Sequence, residues 1–281
     1  MANALALRTT DTIPPIITST LSPAAPDGTN GWYKSPVTVT WTIATSSAIS
    51  SKAGCDPTTL SADTTGTTPT CTATSAGGTS SKAVTVKVDV TRPTLTATFS
   101  NTVSAETLPN AVLLGSAVSV TPSATDATSG VASSSCTAPN TSTIGRHAVT
   151  CTASDNAGNI TTVQVPYSVI YNFQGFSDPL SNLPAINSGK AGRAYPVKFT
   201  LTGQSSLNVL VPGYPKVTTI DCSATALVAE NATTVSAVSN TGLKFDGSYT
   251  FVWKTDKTPG CYQLNVQLND KTDHYALFNL R

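Results

Sequence analysis

Asp126 lies in the segment SATDATSG, and Asp155, Asn156 and Asn159 lie in SDNAGN. Calcium takes six to eight oxygen ligands, and short loops rich in Asp and Asn supply them. If the two loops meet at one end of a domain, Asp126, Asp155, Asn156 and Asn159 are the ligand set this sequence offers best. The plainer reading is that Asp and Asn make these turns by bonding their own nearby backbone. Asp270 and Asp273 form a weaker pair of the same kind. No other cofactor is expected.

The remaining chemistry is thin. His147 and His274 are the only imidazoles, and no G-x-S-x-G segment supplies an exposed serine for either to activate. Both read as surface histidines. With fifteen acidic residues, some carboxylate pair is inevitable and signals nothing. No glycine-rich phosphate loop precedes a helix. The chain is therefore expected not to be an enzyme. Trp32 and Tyr33, beside Gly31, could stack on a sugar ring or pack under a loop. Trp41 and Trp253 are in phase with apolar neighbours and read as core. Lys198 and Lys254 are remote candidates for an isopeptide bond with an Asn.

Six cysteines limit the architecture further. GCDPTTLSADTTGTTPTCTATSAGG from Gly54 and SCTAPNTSTIGRHAVTCTASDNAGN from Ser135 share a Cys, a polar loop, Thr-Cys-Thr-Ala and a small-residue turn. PVTVTW from Pro36 matches AVSVTP from Ala117 at the same offset, and DTIPP from Asp11 matches DVTRP from Asp89 as unit openings. A repeat of roughly 80 residues is one small β-sandwich. One bridge per unit gives the economical pairing Cys55–Cys71, Cys136–Cys151 and Cys222–Cys261. Zinc ligation fails for want of any C-x-x-C. Disulfides place the chain in an oxidising compartment, extracellular or at a cell surface.

Alternation supplies the strands that would position these residues. Val37, Val39, Trp41 and Ile43 alternate with threonines, and Val84, Val86, Val88 and Val90 alternate with Thr85, Lys87 and Asp89. Val163, Val165, Tyr167 and Val169 repeat the pattern with Pro166 inside it, which predicts an edge strand. Beyond Ile170 come Val197, Phe199 and Leu201, then Tyr249, Phe251 and Trp253, then Tyr262, Leu264, Val266 and Leu268. Residues 269–273 read as a hairpin loop, and Ala276, Phe278 and Leu280 as the closing strand, so close to Arg281 that the C-terminus reads as natural. The fold class is all-β, three tandem sandwiches with one local disulfide each: 12–92, 93–169 and 170–281, after an arm or extra strand at 1–11.

Charge narrows the partners. Only 11% of residues are charged, the net charge is +1, and Glu106 and Glu230 are the only glutamates. No basic stripe exists for nucleic acid or an anionic membrane, and no segment reaches the roughly 20 apolar residues of a membrane span. Met1 to Thr12 lacks the apolar core of a secretion signal, so any signal is expected to have been removed or to lie outside this stretch.

Residues 12–170 resemble tandem bacterial immunoglobulin-like repeats, through PDGTNGWYKSPVTVTWT (26–42), SATDATSGVASSSC (123–136) and VTCTASDNAGN (149–159). The second unit is also similar to hyalin-repeat (HYR) modules. Residues 170–281 resemble the bacterial PxKF domain, through KAGRAYPVKFTL (190–201), YTFVWKTD (249–256) and CYQLNVQLNDKTDHYALFNL (261–280). The first repeat departs from the pattern, with Thr45 in place of Asp126 and SAGG in place of DNAG. The resemblance implies a secreted or surface-attached protein whose modules serve as stalk, spacer or adhesion domains, with other surface proteins or further copies as partners. Two alternatives stand beside it. One is a self-assembling fibre or virion subunit in which residues 2–10, with alternating Ala4, Leu5, Ala6 and Leu7, add a strand to a neighbour. The other is a polysaccharide-binding accessory region.

Overall fold

A computed structural model describes residues 11–105, 107–223, 227, 234–237 and 242–281. The proposed assembly strand at Ala4, Leu5, Ala6 and Leu7 lies outside the described residues. Among these, every regular element is a strand, and no helix is long and apolar enough to cross a membrane. The strands divide into two compact units. One takes residues up to Thr98 with Val120–Thr137 and Thr150–Val165; the other takes Phe99–Ser119, Ala138–Val149 and Pro166–Arg281. The second sequence repeat is thus shared between them.

In the first unit, Ile16–Ser22, Val37–Ala44 and Thr58–Leu60 form one antiparallel sheet. Ile49–Ala53, Thr70–Ser75 and Gly78–Ala83 form a second. Period-2 alternation does the sorting. Val37, Val39 and Trp41 point inward and join Ile17, Tyr33, Ala73, Val86 and Val88 in a core of mostly small side chains. The intervening threonines point outward and bond across strands, Thr38 to Thr59 at 2.9 Å and Thr74 to Thr79 at 2.9 Å. This explains how a chain so poor in charge covers its surface. Cys71 is fully buried in this core and bonded to Cys55; Cys151 is likewise buried and bonded to Cys136. With so thin a core, closing loops of 16 and 15 residues contributes about 3 kcal/mol each on the chain-entropy model.

The second unit has the larger core. Ala194–Leu201 pairs with Phe173–Ser177 and with Tyr249–Lys254. Gly260–Gln267 lies between Lys216–Ile220 and Asp273–Leu280. Phe199, Tyr249, Phe251, Trp253 and Phe278 meet between the two sheets, with Phe199 and Tyr249 stacked at 5.1 Å. Cys222–Cys261 closes a loop of 39 residues.

Two expectations are corrected. The strand containing Pro166 is not at an edge: Ile160–Ile170 has neighbours on both sides. Its pairing with Ala111–Leu113 begins only at Ser168, past the proline, so no ladder bond is asked of the missing N–H. The run from Val84 does not keep its alternation either. The strand covers only Val86–Val88, after which Asp89 is wholly buried and Val90 is 40% exposed.

Candidate functional site

That slip after Val88 brings a carboxylate into the interior. Tyr33 forms an isolated bridge with Val88, and the Asp89 N–H donates to the Tyr33 carbonyl at 2.9 Å. Asp63 catches the next residues, accepting from the Val90 N–H at 2.7 Å and from the Thr91 hydroxyl. Asp89 is thereby turned inward, its carboxylate accepting from the N–H groups of Thr91 at 3.2 Å and Ser129 at 3.1 Å.

The loops that carry Asp126 and Asp155 lie together beside Asp89. Asp126 Oδ1 accepts from the backbone of Thr128, Ser129 and Gly130 at 3.2, 3.0 and 2.7 Å. Asp155 Oδ1 accepts from Gly158 and Asn159 at 2.7 and 2.9 Å. These are the side-chain-to-backbone turns that Asp favours. One carboxylate oxygen from each of Asp89, Asp126 and Asp155 lies within 4.8 Å of the others. Asn156 and Asn159 serve differently. The Asn156 amide donates to the carbonyls of Ser129 and Gly130 at 2.8 and 3.1 Å. The Asn159 amide donates to the carbonyls of Asp89 and Thr91 at 2.9 and 3.1 Å and to Asp155 Oδ2 at 2.9 Å.

Among the described residues no cation pairs with the cluster. Asp89 and Asp155 are buried, and the one ion pair among the described residues is Lys52–Asp56, at the surface. Lys34 and Lys87 turn to the carbonyls of Gly158 and Asn30. Burial pushes the Asp89 carboxyl above its ordinary value, with the charges of Asp126 and Asp155 adding to the effect and the Ser129 bond opposing it. Such a cluster loses charge by holding a proton or by taking a hard cation. Two oxygens on opposite sides of one calcium ion are about 5 Å apart, and three carboxylates offer up to six oxygens. The residues that could hold such an ion are Asp89, Asp126 and Asp155. Asp89 was missed as a ligand because its place in an alternating run reads as solvent-facing.

Around the cluster the first repeat is fastened to the loops of the second. The Thr29 N–H donates to the Ala157 carbonyl at 2.9 Å, while the Thr29 hydroxyl and the Asn30 amide both reach the Asn156 carbonyl, at 2.7 and 3.0 Å. The Thr161 hydroxyl donates to the Pro93 carbonyl at 2.6 Å. Gly28 permits this approach: a Cβ there would lie 2.5 Å from the Ala157 carbonyl oxygen and 2.8 Å from that of Trp32. Trp32, Tyr33 and Trp41 are all buried: Trp41 is core as read from its phase, and Trp32 and Tyr33 take the packed alternative and not the sugar-stacking one.

Neither histidine is the expected surface residue. Both are half-buried. His147 stacks on Tyr167 and shares its Nε2 proton with the Thr143 carbonyl at 2.9 Å. His274 stacks on Phe173 at 3.7 Å between ring centroids.

The fold defines the class: an all-β protein of packed antiparallel sheets in two compact units, with three disulfides. The chain matches no protein-family model and no curated protein. Among solved structures it is similar to the N-terminal eight immunoglobulin domains of Down syndrome cell adhesion molecule, with 14% identity over 95% of this chain and 36% of that one and a TM-score of 0.34. It is similar to sidekick-1 immunoglobulin domains 1–5, with 13% identity over 97% and 59% and a TM-score of 0.30. It is also similar to FdeC, an Escherichia coli adhesin, with 15% identity over 94% and 96% and a TM-score of 0.26. The chain thus spans about a third of the first structure and under two thirds of the second.

Proposed function

We propose that this chain is a non-enzymatic, extracellular spacer of a surface or adhesion protein, its first repeat and the adjoining loops of the second held as one rigid body. The joint carries this reading. A mobile linker has exposed, unpaired backbone, whereas here Thr29, Asn30, Asn156 and Asn159 bond directly across it and Gly28 is packed to contact. Three disulfides with no free cysteine favour an oxidising compartment. The hydrogen bonds around His274 are compatible with the non-enzymatic reading. The Thr272 hydroxyl donates to Asp270 at 2.7 Å and so can only accept from His274. That order leaves the Thr272 hydroxyl unactivated by His274. The reading of residues 93–169 as hyalin-repeat-like and 170–281 as a PxKF domain rests on the segments quoted above.

The test is backbone 15N relaxation on the disulfide-intact chain. The amides of Thr29, Ser129, Gly158 and Asn159 should share the order parameters and correlation time of core amides such as Val39 and Ala73. Independent motion of the 126–130 and 155–159 loops relative to the first repeat would remove the basis for a rigid spacer.

A further inference from the structure

In the second unit a cavity of about 350 Å³ opens between the loop that carries Leu108 and the hairpin turn after Leu268. That is within the size range of small-molecule sites. Leu108, Ile170 and Tyr171 give it an apolar side, and Lys271, Asp273 and His274 give it a polar one. Its walls are tied together. The buried Asp270 carboxylate accepts from the Tyr171 N–H at 2.6 Å and from the Thr272 N–H and hydroxyl at 2.9 and 2.7 Å. The turn is therefore fixed against Tyr171 before anything binds.

Two features of the polar side are not explained by folding. Lys271 adopts φ +73°, a left-handed conformation in which glycine is the ordinary choice. A lysine kept there places a cation on the rim at a cost that glycine would avoid, and backbone outliers of this kind gather at functional sites. The second feature follows from proton order. Because the Thr272 hydroxyl gives its proton to Asp270, it accepts from His274 Nε2–H at 3.0 Å. His274 Nδ1 then carries a lone pair with no partner among the described residues. Asp273 accepts from the Asn265 and Gln267 amides at 2.9 and 3.4 Å, and two such bonds leave a carboxylate acceptor capacity.

We propose that this cavity binds a single neutral pyranose unit of a polysaccharide. The ring's C–H face lies on Leu108, Ile170 and Tyr171, and its hydroxyls donate to Asp273 and His274 and accept from Lys271. Lys271 and Asp273 put one charge of each sign on the rim and the Asp270 carboxylate lies behind them, which disfavours a sugar acid. The set holds two acceptors and one charged donor beside an apolar wall, which suits adjacent hydroxyls on one ring.

The experiment is ligand-observed saturation-transfer NMR on the full disulfide-intact chain, using the methyl glycosides of glucose, galactose and mannose, with methyl glucuronide as the charged control. At least one neutral glycoside should receive saturation. Its affinity should fall about tenfold or more in Lys271→Gly, as expected when a charged hydrogen bond is lost. Lys271→Gly relieves the backbone, so its melting temperature should not fall and misfolding cannot mimic the result. Asp273→Ala should also bind more weakly. Saturation of none of the neutral glycosides, saturation of the glucuronide alone, or undiminished binding in both variants would each overturn the assignment.

Discussion

Acid should loosen the second unit through His274 well before most carboxylates titrate. Burial against Phe173 holds its imidazole at about 4, down from 6.5, even though the charges of Asp270 and Asp273 pull the other way. The unfolded chain therefore takes up a proton near pH 6.5 that the folded chain refuses until about pH 4. Stability is full above 6.5 and falls with acid, by about 1.4 kcal/mol per pH unit. The loss reaches about 2 kcal/mol near pH 5 and about 3 kcal/mol near pH 4. The assay is urea denaturation across this range, followed by the fluorescence of Trp253, which is buried in the second unit's core. Trp32 and Trp41 are replaced by Phe so that they do not report; Trp41 Nε1 makes no hydrogen bond, so that change breaks none. His274→Gln serves as the reference. It loses the ring stacking at every pH, so the slope and not the intercept is the readout, and carboxylates common to both proteins cancel in the difference. Equal slopes for the two proteins between pH 6.5 and about 5 would refute the reasoning.

The first unit should respond with the opposite sign. The Asp89 carboxyl is raised on folding, so its contribution is present at low pH and lost as pH rises through the folded value. Asp89→Asn should make the first unit's urea midpoint less dependent on pH, and calcium should raise the wild-type midpoint at neutral pH but not that of Asp126→Asn if the cluster takes a cation. Gly28→Ala places a Cβ against two backbone oxygens that cannot give way; the amides of Thr29 and Gly158 should lose hydrogen-exchange protection while Val39 keeps it. Cys222→Ala with Cys261→Ala opens a loop of 39 residues and should cost the second unit about 4 kcal/mol in urea denaturation, against about 3 kcal/mol in the first unit for Cys55→Ala with Cys71→Ala.

Much of this protein is local, and local features can be read from sequence. Val37, Val39 and Trp41 against Thr38, Thr40 and Thr42 is a two-residue period, and a pleated strand has no other way to place them. Cysteines 15 and 16 residues apart in two repeated segments pair within their own loops because the repeat brings each pair to one hairpin or its edge. The turns at Asp126 and Asp155 are also local, each carboxylate bonding backbone within four residues. The tertiary structure decided what such local rules leave open. Asp89 belongs to an alternating run until the Tyr33 carbonyl takes its N–H and Asp63 takes the next one, which turns its side chain from solvent into a cluster with Asp126 and Asp155. Pro166 sits in a strand flanked on both sides because the neighbouring ladder starts two residues later. His274 is moved from surface to half-buried by Phe173, 101 positions away in the sequence. In each case the determining partner is remote in the chain, and a periodicity confined to a few residues carries no information about it.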